Sequence, residues 1–306
     1  MKQNNKEGYA LITGGTSGIG YEIAKCFAKD GYNLVLVART VEGLKEISAE
    51  LMNSFKVDVR TIQKDLIIPG SSKEIYEECK NNGLTINFLV NDAGQGYWGN
   101  FIDTDLHREM DLIHLNVIAV VSLTKYFLRD MTQRNNGKIL QLASSLAKAP
   151  SPHMSVYAAS KAFVWSFTEA LIQELKDTNI TMTALLPGAT DTDFFHKAEA
   201  EDSKEYREIS LYDPAEVAKA GYEGMMAGKD KVVPGAKNKM QGMMGAILPD
   251  KMVAANMGSH LKESTKDDGR DSITHARSAE ERSRISNQSG KPDGDFENHS
   301  GHDHRE

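Results

Sequence analysis

The sequence predicts an α/β fold: a doubly wound parallel sheet of about seven strands, with helices on both faces. Two observations support this. Short apolar runs alternate with amphipathic helical patterns roughly every 20 to 30 residues, which is typical of right-handed βαβ units. The first apolar run, residues 9–13, leads directly into a glycine-rich turn and then a helical pattern. A chain of 306 residues is long enough for one large domain of this class.

The strands and helices can be placed in order along the chain. After the strand at 9–13 and its helix, the pattern gives strands at 33–38, 57–63, 86–90, 138–143, 180–186 and 231–234. Helical patterns lie between them at 41–55, 70–82 and 105–131, in a segment around residues 157–161, and at 213–227. Each strand is short and rich in β-branched or aliphatic residues, as buried parallel strands are.

Composition excludes several classes of protein. The formal net charge of −7 lacks the basic excess that non-specific nucleic-acid binding needs. The two cysteines, Cys26 and Cys79, provide neither a disulfide framework nor a metal-ligand pattern, so we expect a reducing, cytoplasmic compartment and no metal. Residues 1–8 are polar and no apolar stretch approaches the ~20 residues of a bilayer span, so we expect no secretory signal and no transmembrane segment.

The turn after the first strand is suited to binding phosphate. A glycine-rich turn between a strand and a helix presents backbone N–H groups and the positive end of the helix to an anion. The candidate binding residues here are Gly14, Thr16, Ser17, Gly18, Ile19 and Gly20. Asn91, Ala93 and Gly94 follow the fourth strand, where small and amide side chains suit the edge of a bound cofactor. Ordinary tight turns remain the alternative for both segments.

The end of the second strand bears on the choice of cofactor. An acidic residue there would bind the ribose hydroxyls of NAD, whereas an arginine suits the 2′-phosphate of NADP. Ala38 and Arg39 occupy this end, so the sequence favours NADP(H), although a surface arginine after a strand is also common.

Tyr157 and Lys161 are the candidate proton-transfer pair. At four residues apart on a helix they share one face. A nearby ammonium favours the phenolate and lowers the pKa of the phenol toward neutrality. Taken alone, such a pair could also be part of a solvated helix face. Asn116, within an apolar helical pattern, needs hydrogen-bond partners and could bend the helix or hold a water near a catalytic site.

Together these motifs resemble the short-chain dehydrogenase/reductase family. The resemblance rests on Thr13-Gly14-x-x-x-Gly18-x-Gly20, Asn91-x-Ala93-Gly94, Asn116, Ser144, Tyr157-x-x-x-Lys161 and Pro187-Gly188 in that order, and it spans roughly residues 8 to 235. One departure is Asp92, where the family more commonly has a second asparagine. We expect cofactor binding to survive this change.

The resemblance implies hydride transfer between NADP(H) and a small-molecule carbonyl or alcohol. It makes Tyr157 the acid or base, Lys161 the residue that lowers its pKa and binds the nicotinamide ribose, and Ser144 the partner of the substrate oxygen, with Ser145 as an alternative. Asn116 would hold a water that links Lys161 to a proton relay. Further cofactor contacts are implied for Asp65, Pro187, Gly188, Thr190 and Thr192. A non-catalytic NADPH-binding regulatory or docking protein is the alternative function.

The C-terminal part lies outside this pattern. We predict a Rossmann-type domain at 1–235, a Met-rich amphipathic helical extension at 236–257 and a disordered polar tail at 258–306. The Met-rich stripe fits a core or dimer face, a substrate lid, or an interfacial helix that contacts a membrane peripherally. His299, His302 and His304 lie in the tail, where we expect a solvated end; weak metal binding is the alternative. The family resemblance implies a homodimer or homotetramer.

Overall fold

Seven parallel strands form one sheet in the order β3-β2-β1-β4-β5-β6-β7, which confirms the predicted fold class. The computed structural model describes residues 6–200 and 211–235. The strands are β1 (Lys6–Thr13), β2 (Tyr32–Ala38), β3 (Val59–Gln63), β4 (Ile86–Asn91), β5 (Gly137–Leu142), β6 (Ile180–Leu185) and β7 (Lys231–Val232). The predicted segments 236–257 and 258–306 lie outside the described residues.

Helices cover both faces of the sheet. They are α1 (Gly18–Lys29), α2 (Val41–Phe55), α3 (Ser71–Asn81), α4 (Leu106–Ile113), α5 (Val120–Arg134), α6 (Ser155–Glu174), α7 (Phe194–Lys197) and α8 (Pro214–Met226). A π-helical segment, His114–Ala119, joins α4 to α5, and a 3₁₀ helix, Ser145–Lys148, follows β5. The two short helices, Ser145–Lys148 and α7, have no periodic signal in the sequence and were not predicted.

The inner strands are largely buried on both sides, which explains their largely apolar sequences, whereas three of the five residues of the edge strand β3 are exposed. In β1, Ala10 and Ile12 pack into a core with α1, α2 and α8. Leu11, between them, points to the opposite core, which α3 and α5 cover. This alternation follows from the two-residue period of a strand, so β1 supplies both cores at once.

The order of the strands creates a crevice at one edge of the sheet. The chain proceeds outward from β1 through β2 to β3, then returns to place β4 on the other side of β1. The loops after β1 and β4 therefore leave the sheet in opposite directions. In open α/β sheets, ligands bind at this switch point, beside the carboxyl ends of the strands.

The helical run Leu106–Arg134 qualifies the expectation that no segment could span a membrane. By length and apolar composition alone, it could cross a bilayer. Its side chains Leu123, Phe127 and Met131 are buried in the core between the sheet and α3. These three side chains therefore belong to the core, while 39% of the most apolar 18-residue stretch of the run is buried.

Candidate active site

A cavity of about 570 Å³ opens at the carboxyl ends of the strands, beside the switch point between β1 and β4. Most of the residues predicted to bind a cofactor or substrate line it. They are Gly14, Thr16, Ser17, Gly18, Ile19, Arg39, Asp65, Ala93, Gly94, Ser144, Tyr157, Lys161, Pro187, Gly188, Thr190 and Thr192. The lining does not include three other predicted residues, which are Gly20, Asn91 and Asn116. The structure thus brings together residues from nearly the whole length of the fold.

The glycine-rich turn after β1 has little room for side chains. Gly14 and Gly18 have φ values of +72° and +55°, in the region that favours glycine. A Cβ on Gly18 would lie 3.1 Å from the methyl group of Thr192. A Cβ on Gly20 would lie 2.6 Å from the carbonyl oxygen of Gly14. At these glycines the turn therefore exposes backbone rather than side chains, as a phosphate-binding turn requires.

Thr13 ties this turn to the end of β4. Its Oγ1 accepts hydrogen bonds from the backbone N–H groups of Asp92 and Ala93, both at 3.1 Å, and donates one to the carbonyl of Val90 at 3.3 Å. Asn91 is buried and donates through its amide to Gln141 Oε1 at 2.9 Å. Asn91 therefore braces neighbouring strands and does not reach the cavity.

Tyr157 and Lys161 form a buried pair on the wall of the cavity. They are 7% and 4% exposed, respectively, so neither lies on a solvated helix face. Lys161 Nζ lies 5.9 Å from the centre of the Tyr157 ring and donates a hydrogen bond to the carbonyl oxygen of Leu142 at 2.7 Å. Burial lowers the pKa of Lys161 to about 8, against an opposing effect of Asp92.

Asn116 supports this pair from behind. It is fully buried and lies in the π-helical segment. Its amide donates to the carbonyl of Gln95 at 2.9 Å and to Ser160 Oγ at 3.1 Å, and its Oδ1 accepts from the Gln95 N–H at 3.1 Å. Ser160 in turn donates to the carbonyl of Tyr157 at 2.7 Å. Asn116 thus connects the loop after β4 to the helix that carries the pair; its water-holding role stays a prediction.

Ser144 and Ser145 both line the cavity, but their local roles differ. Ser144 is buried at the start of the 3₁₀ helix, and its Oγ accepts from the Leu146 N–H at 3.1 Å. Since that bond uses an oxygen lone pair, the hydroxyl hydrogen of Ser144 can be donated to a ligand. The backbone N–H of Ser145 donates to the carbonyl of Pro187 at 2.8 Å, which links the ends of β5 and β6.

Asp92 places a carboxyl group inside the glycine-rich turn. It lines the cavity, and its Oδ2 lies 3.1 Å from the position of a Cβ on Gly14. Its Oδ1 is buried and has no hydrogen-bond partner among the described residues. Burial raises the pKa of Asp92 to about 7, while Lys161 and the backbone N–H of Gly20 lower it in part.

Apolar groups enclose the space in front of Tyr157. Its ring packs on that of Phe194, with ring centres 5.1 Å apart. Met154 is buried in the same cluster as Tyr157, and Trp98 packs against it. Gly96 makes room for this packing, because a Cβ there would lie 2.6 Å from Cζ of Phe194. The side of the cavity in front of Tyr157 is therefore predominantly apolar.

The opposite end of the cavity is more polar. Arg39 is exposed beyond the end of β2, and Asp65 lies beyond β3, where its Oδ1 accepts from the Ile67 N–H at 3.0 Å. Thr190 donates from Oγ1 to the carbonyl of Gly188 at 2.9 Å. The cavity thus runs from a charged end near Arg39, past the glycine-rich turn, to the apolar chamber at Tyr157.

This arrangement fits a dinucleotide with a redox-active ring. The backbone of the glycine-rich turn suits a central pyrophosphate, and Arg39 suits a further phosphate. Four contacts were not predicted: that of Lys161 with the carbonyl of Leu142, those of Asn116 with the Gln95 backbone and with Ser160, and the packing of Phe194 on Tyr157. A backbone carbonyl and a loop contact leave no pattern in a sequence. Ser160 adjoins Lys161, but its type alone does not indicate its role.

Comparison with known proteins gives one family. A family model described as short chain dehydrogenase matches residues 8–203. The chain is 36% identical over 185 residues to bovine very-long-chain 3-oxoacyl-CoA reductase, covering 58% of each chain. It is 37% identical over 190 residues to human 17-beta-hydroxysteroid dehydrogenase type 3, covering 60% of this chain and 59% of the other. The match therefore spans less than two thirds of these relatives' length.

Solved structures show the same architecture over more of the chain. A short-chain dehydrogenase from Sphingobium yanoikuyae in complex with NADPH superposes with a TM-score of 0.70 and 29% identity, covering 79% of this chain and 96% of the other. The bulky-bulky ketone specific alcohol dehydrogenase from Comamonas testosteroni superposes with a TM-score of 0.67 and 28% identity, covering 80% and 96%.

Proposed function

This chain belongs to the short-chain dehydrogenase/reductase family of oxidoreductases, and we propose that it is an NADP(H)-dependent reductase of an extended, apolar ketone. The observation that carries this proposal is the buried pair of Tyr157 and Lys161, which faces a chamber lined by Phe194 and Met154. Ser144 lines the same chamber. A regulator without turnover would have no need for these three polar groups in one apolar space.

The chain's own residues suit NADP(H). The glycine-rich turn would hold the pyrophosphate through its backbone N–H groups. Arg39 would meet the 2′-phosphate, since no acidic residue stands at the end of β2 to repel it. Lys161 would bind the hydroxyls of the nicotinamide ribose. When bound, NADPH supplies the hydride that the carbonyl carbon receives.

The reaction then depends on one proton from the protein. Ser144 donates a hydrogen bond to the substrate carbonyl oxygen and polarises it. Tyr157 gives its phenolic proton to the same oxygen as negative charge develops there. The ammonium group of Lys161 stabilises the phenolate that Tyr157 becomes. In the reverse direction, Tyr157 accepts the proton of an alcohol.

Two hydrogen bonds hold Lys161 and Tyr157 in position. The Leu142 carbonyl fixes Lys161 Nζ at 2.7 Å, and Ser160 fixes the backbone of Tyr157 at 2.7 Å. Asn116 connects Ser160 to the loop that carries Gln95. These residues act by position, because catalysis loses rate when reacting groups move by about an ångström.

The apolar chamber supports a hydrophobic substrate. Phe194 and Met154 line it and Trp98 packs behind them; these side chains offer no charge to pair with a polar ligand and favour an aliphatic or polycyclic body. The relatives named very-long-chain 3-oxoacyl-CoA reductase and 17-beta-hydroxysteroid dehydrogenase type 3 agree with that class. We therefore place extended apolar ketones ahead of sugars as substrates.

The test follows NADPH absorbance with three ketones: a long-chain 3-oxoacyl thioester, a 17-oxosteroid and a small polar ketone. We expect turnover with at least one of the first two, and a loss of at least about a hundredfold in kcat for Tyr157→Phe. The matched control is Tyr126→Phe, which removes the same atom from a ring on α5, away from the cavity. Fluorescence titration should show NADPH binding by all three proteins.

Two outcomes would overturn the proposal. Turnover by Tyr157→Phe equal to that of the wild-type protein would remove Tyr157 as the proton donor. Failure of the wild-type protein to bind NADPH would show that NADPH is not its cofactor, whatever the substrate.

A further inference from the structure

The carboxyl group of Asp92 occupies an unusual place for a negative charge. It lies within the glycine-rich turn, close enough to Gly14 and Gly20 that a Cβ on either residue would meet Oδ2. Its Oδ1 is buried without a hydrogen-bond partner among the described residues. Asp92 is among the residues that line the cavity, and its carboxyl group lies directly beside the turn that is suited to a pyrophosphate.

The surroundings compensate this charge only in part. From α1, the backbone N–H of Gly20 donates to the carboxylate, and from α6, the Lys161 ammonium attracts it through space. From β1, Thr13 binds the backbone N–H of Asp92 and leaves the carboxylate untouched. In the part of the chain that the structure describes, Lys161 is the charged side chain that acts on Asp92.

We propose that cofactor binding is linked to the uptake of one proton by the Asp92 carboxylate. The proton comes from the buffer, the carboxylate becomes a neutral carboxylic acid, and no other bond changes. This inference rests on the proposed function, since it concerns the same dinucleotide. It makes Asp92 a residue that sets the pH range of cofactor binding, without contact with the reacting atoms.

The physical reason is the repulsion between like charges in a poorly hydrated space. A bound pyrophosphate would bring negative charge toward a carboxylate that burial already disfavours. It would also exclude water from the cavity and so weaken the screening between them. Protonation removes the repulsion, and the resulting O–H can donate to a neighbouring acceptor, such as the carbonyl of Gly14.

The free protein is poised for this change. Burial raises the pKa of Asp92 to about 7, so near neutrality a substantial share of the molecules still carries the carboxylate. Nearby anionic charge raises that pKa further in the complex. Binding should therefore be tightest at acidic pH and weaken as pH rises above about 7, by up to tenfold per pH unit for one linked proton.

The direct test is an infrared difference spectrum of the full chain with and without NADPH at about pH 7.5. We expect a carboxylic-acid C=O band to appear, and carboxylate bands to decrease, on binding to the wild-type protein. Neither change should occur with Asp92→Asn, which keeps the shape of the side chain between Gly14 and Gly20. The matched control is Asp193→Asn, because Asp193 lines the same cavity but its side chain is 70% exposed; the band should persist there.

A second measurement follows the dissociation constant of NADPH by fluorescence between about pH 6 and pH 8.5. The constant for the wild-type protein should rise several-fold more over this range than the constant for Asp92→Asn. Lys161 and the cofactor's own 2′-phosphate also titrate here, so the infrared band assigns the proton to Asp92.

The outcomes separate this proposal from the proposed function. NADPH binding without the carboxylic-acid band, or with the same band in Asp92→Asn, would refute the proton uptake and leave the reductase in place. Failure of the wild-type protein to bind NADPH would refute both.

Discussion

Replacing Asp92 with Asn should change how the free energy of unfolding of the cofactor-free protein depends on pH. Asp92 has its pKa raised in the folded protein to about 7, whereas an aspartate in an unfolded chain titrates near pH 3.9. Between these two values the folded state binds more protons than the unfolded state. The contribution of Asp92 to stability therefore declines as pH rises from about 4 to about 7.

The magnitude follows from the size of the shift. Each pH unit inside this window changes the free energy of unfolding by about 1.4 kcal/mol per linked proton. Between pH 5 and pH 7, the free energy of unfolding of the wild-type protein, relative to that of Asp92→Asn, should therefore fall by about 2 to 3 kcal/mol. Loss of the negative charge would also lower the pKa of Lys161 in the variant. The stability that the variant gains as Lys161 loses its proton would then begin at a lower pH, which widens the same difference between the two proteins.

The assay is urea denaturation of both proteins at about pH 5, 6 and 7, followed by tryptophan fluorescence and extrapolated to zero urea. Other titrating groups are common to both proteins, so they cancel in the difference. Two stability curves that run parallel across these pH values would refute the reasoning. They would mean that Asp92 is already ionised in the folded protein at pH 5.

Three further predictions concern a buried hydrogen-bonding side chain, the fit of the substrate and a strained backbone position. Asn116→Ala should lower the free energy of unfolding by about 2 to 4 kcal/mol in urea denaturation, because it removes three hydrogen bonds of a fully buried side chain and leaves the half-buried N–H and C=O of Gln95 without their partner; an unchanged midpoint would contradict this. Gly96→Ala should displace Phe194 and raise the KM for a bulky ketone about tenfold, while the dissociation constant of NADPH stays constant. Lys56→Gly should stabilise the protein by about 0.5 to 1 kcal/mol, because Lys56 ends α2 with φ at +61°; a lower thermal midpoint would count against it.

The sequence allowed the order of strands and helices to be predicted because each strand is a short apolar run with a clear boundary. The helix at 41–55 agrees residue for residue with α2, and the strand at 86–90 is one residue short of β4. Tyr157 and Lys161 could be paired because a spacing of four on a helix fixes their common face. In these cases local spacing carried the information.

Other features depend on contacts between distant parts of the chain. Lys161 binds the carbonyl of Leu142, and every residue type offers a carbonyl, so no letter in the sequence marks it. Asn116 meets Gln95 only because the loop after β4 folds back over the helix. The packing of Phe194 on Tyr157 joins two segments whose approach depends on the whole sheet. Position in three dimensions, rather than residue type, decides these roles.

The π-helical segment at His114–Ala119 has a consequence for the long helix that contains it. A turn with one extra residue rotates everything beyond it by about 100° relative to an unbroken α-helix. The segment therefore sets the rotation of one flanking helix relative to the other: α4 before it packs on α6, while α5 beyond it packs on α3 and the sheet. Deletion of one residue from this segment would restore the regular helical period and force α4 or α5 to expose its apolar face. The number of residues in the π-helical segment thus determines the packing of both helices, as the hydrogen bonds of Asn116 within it determine the position of the loop after β4.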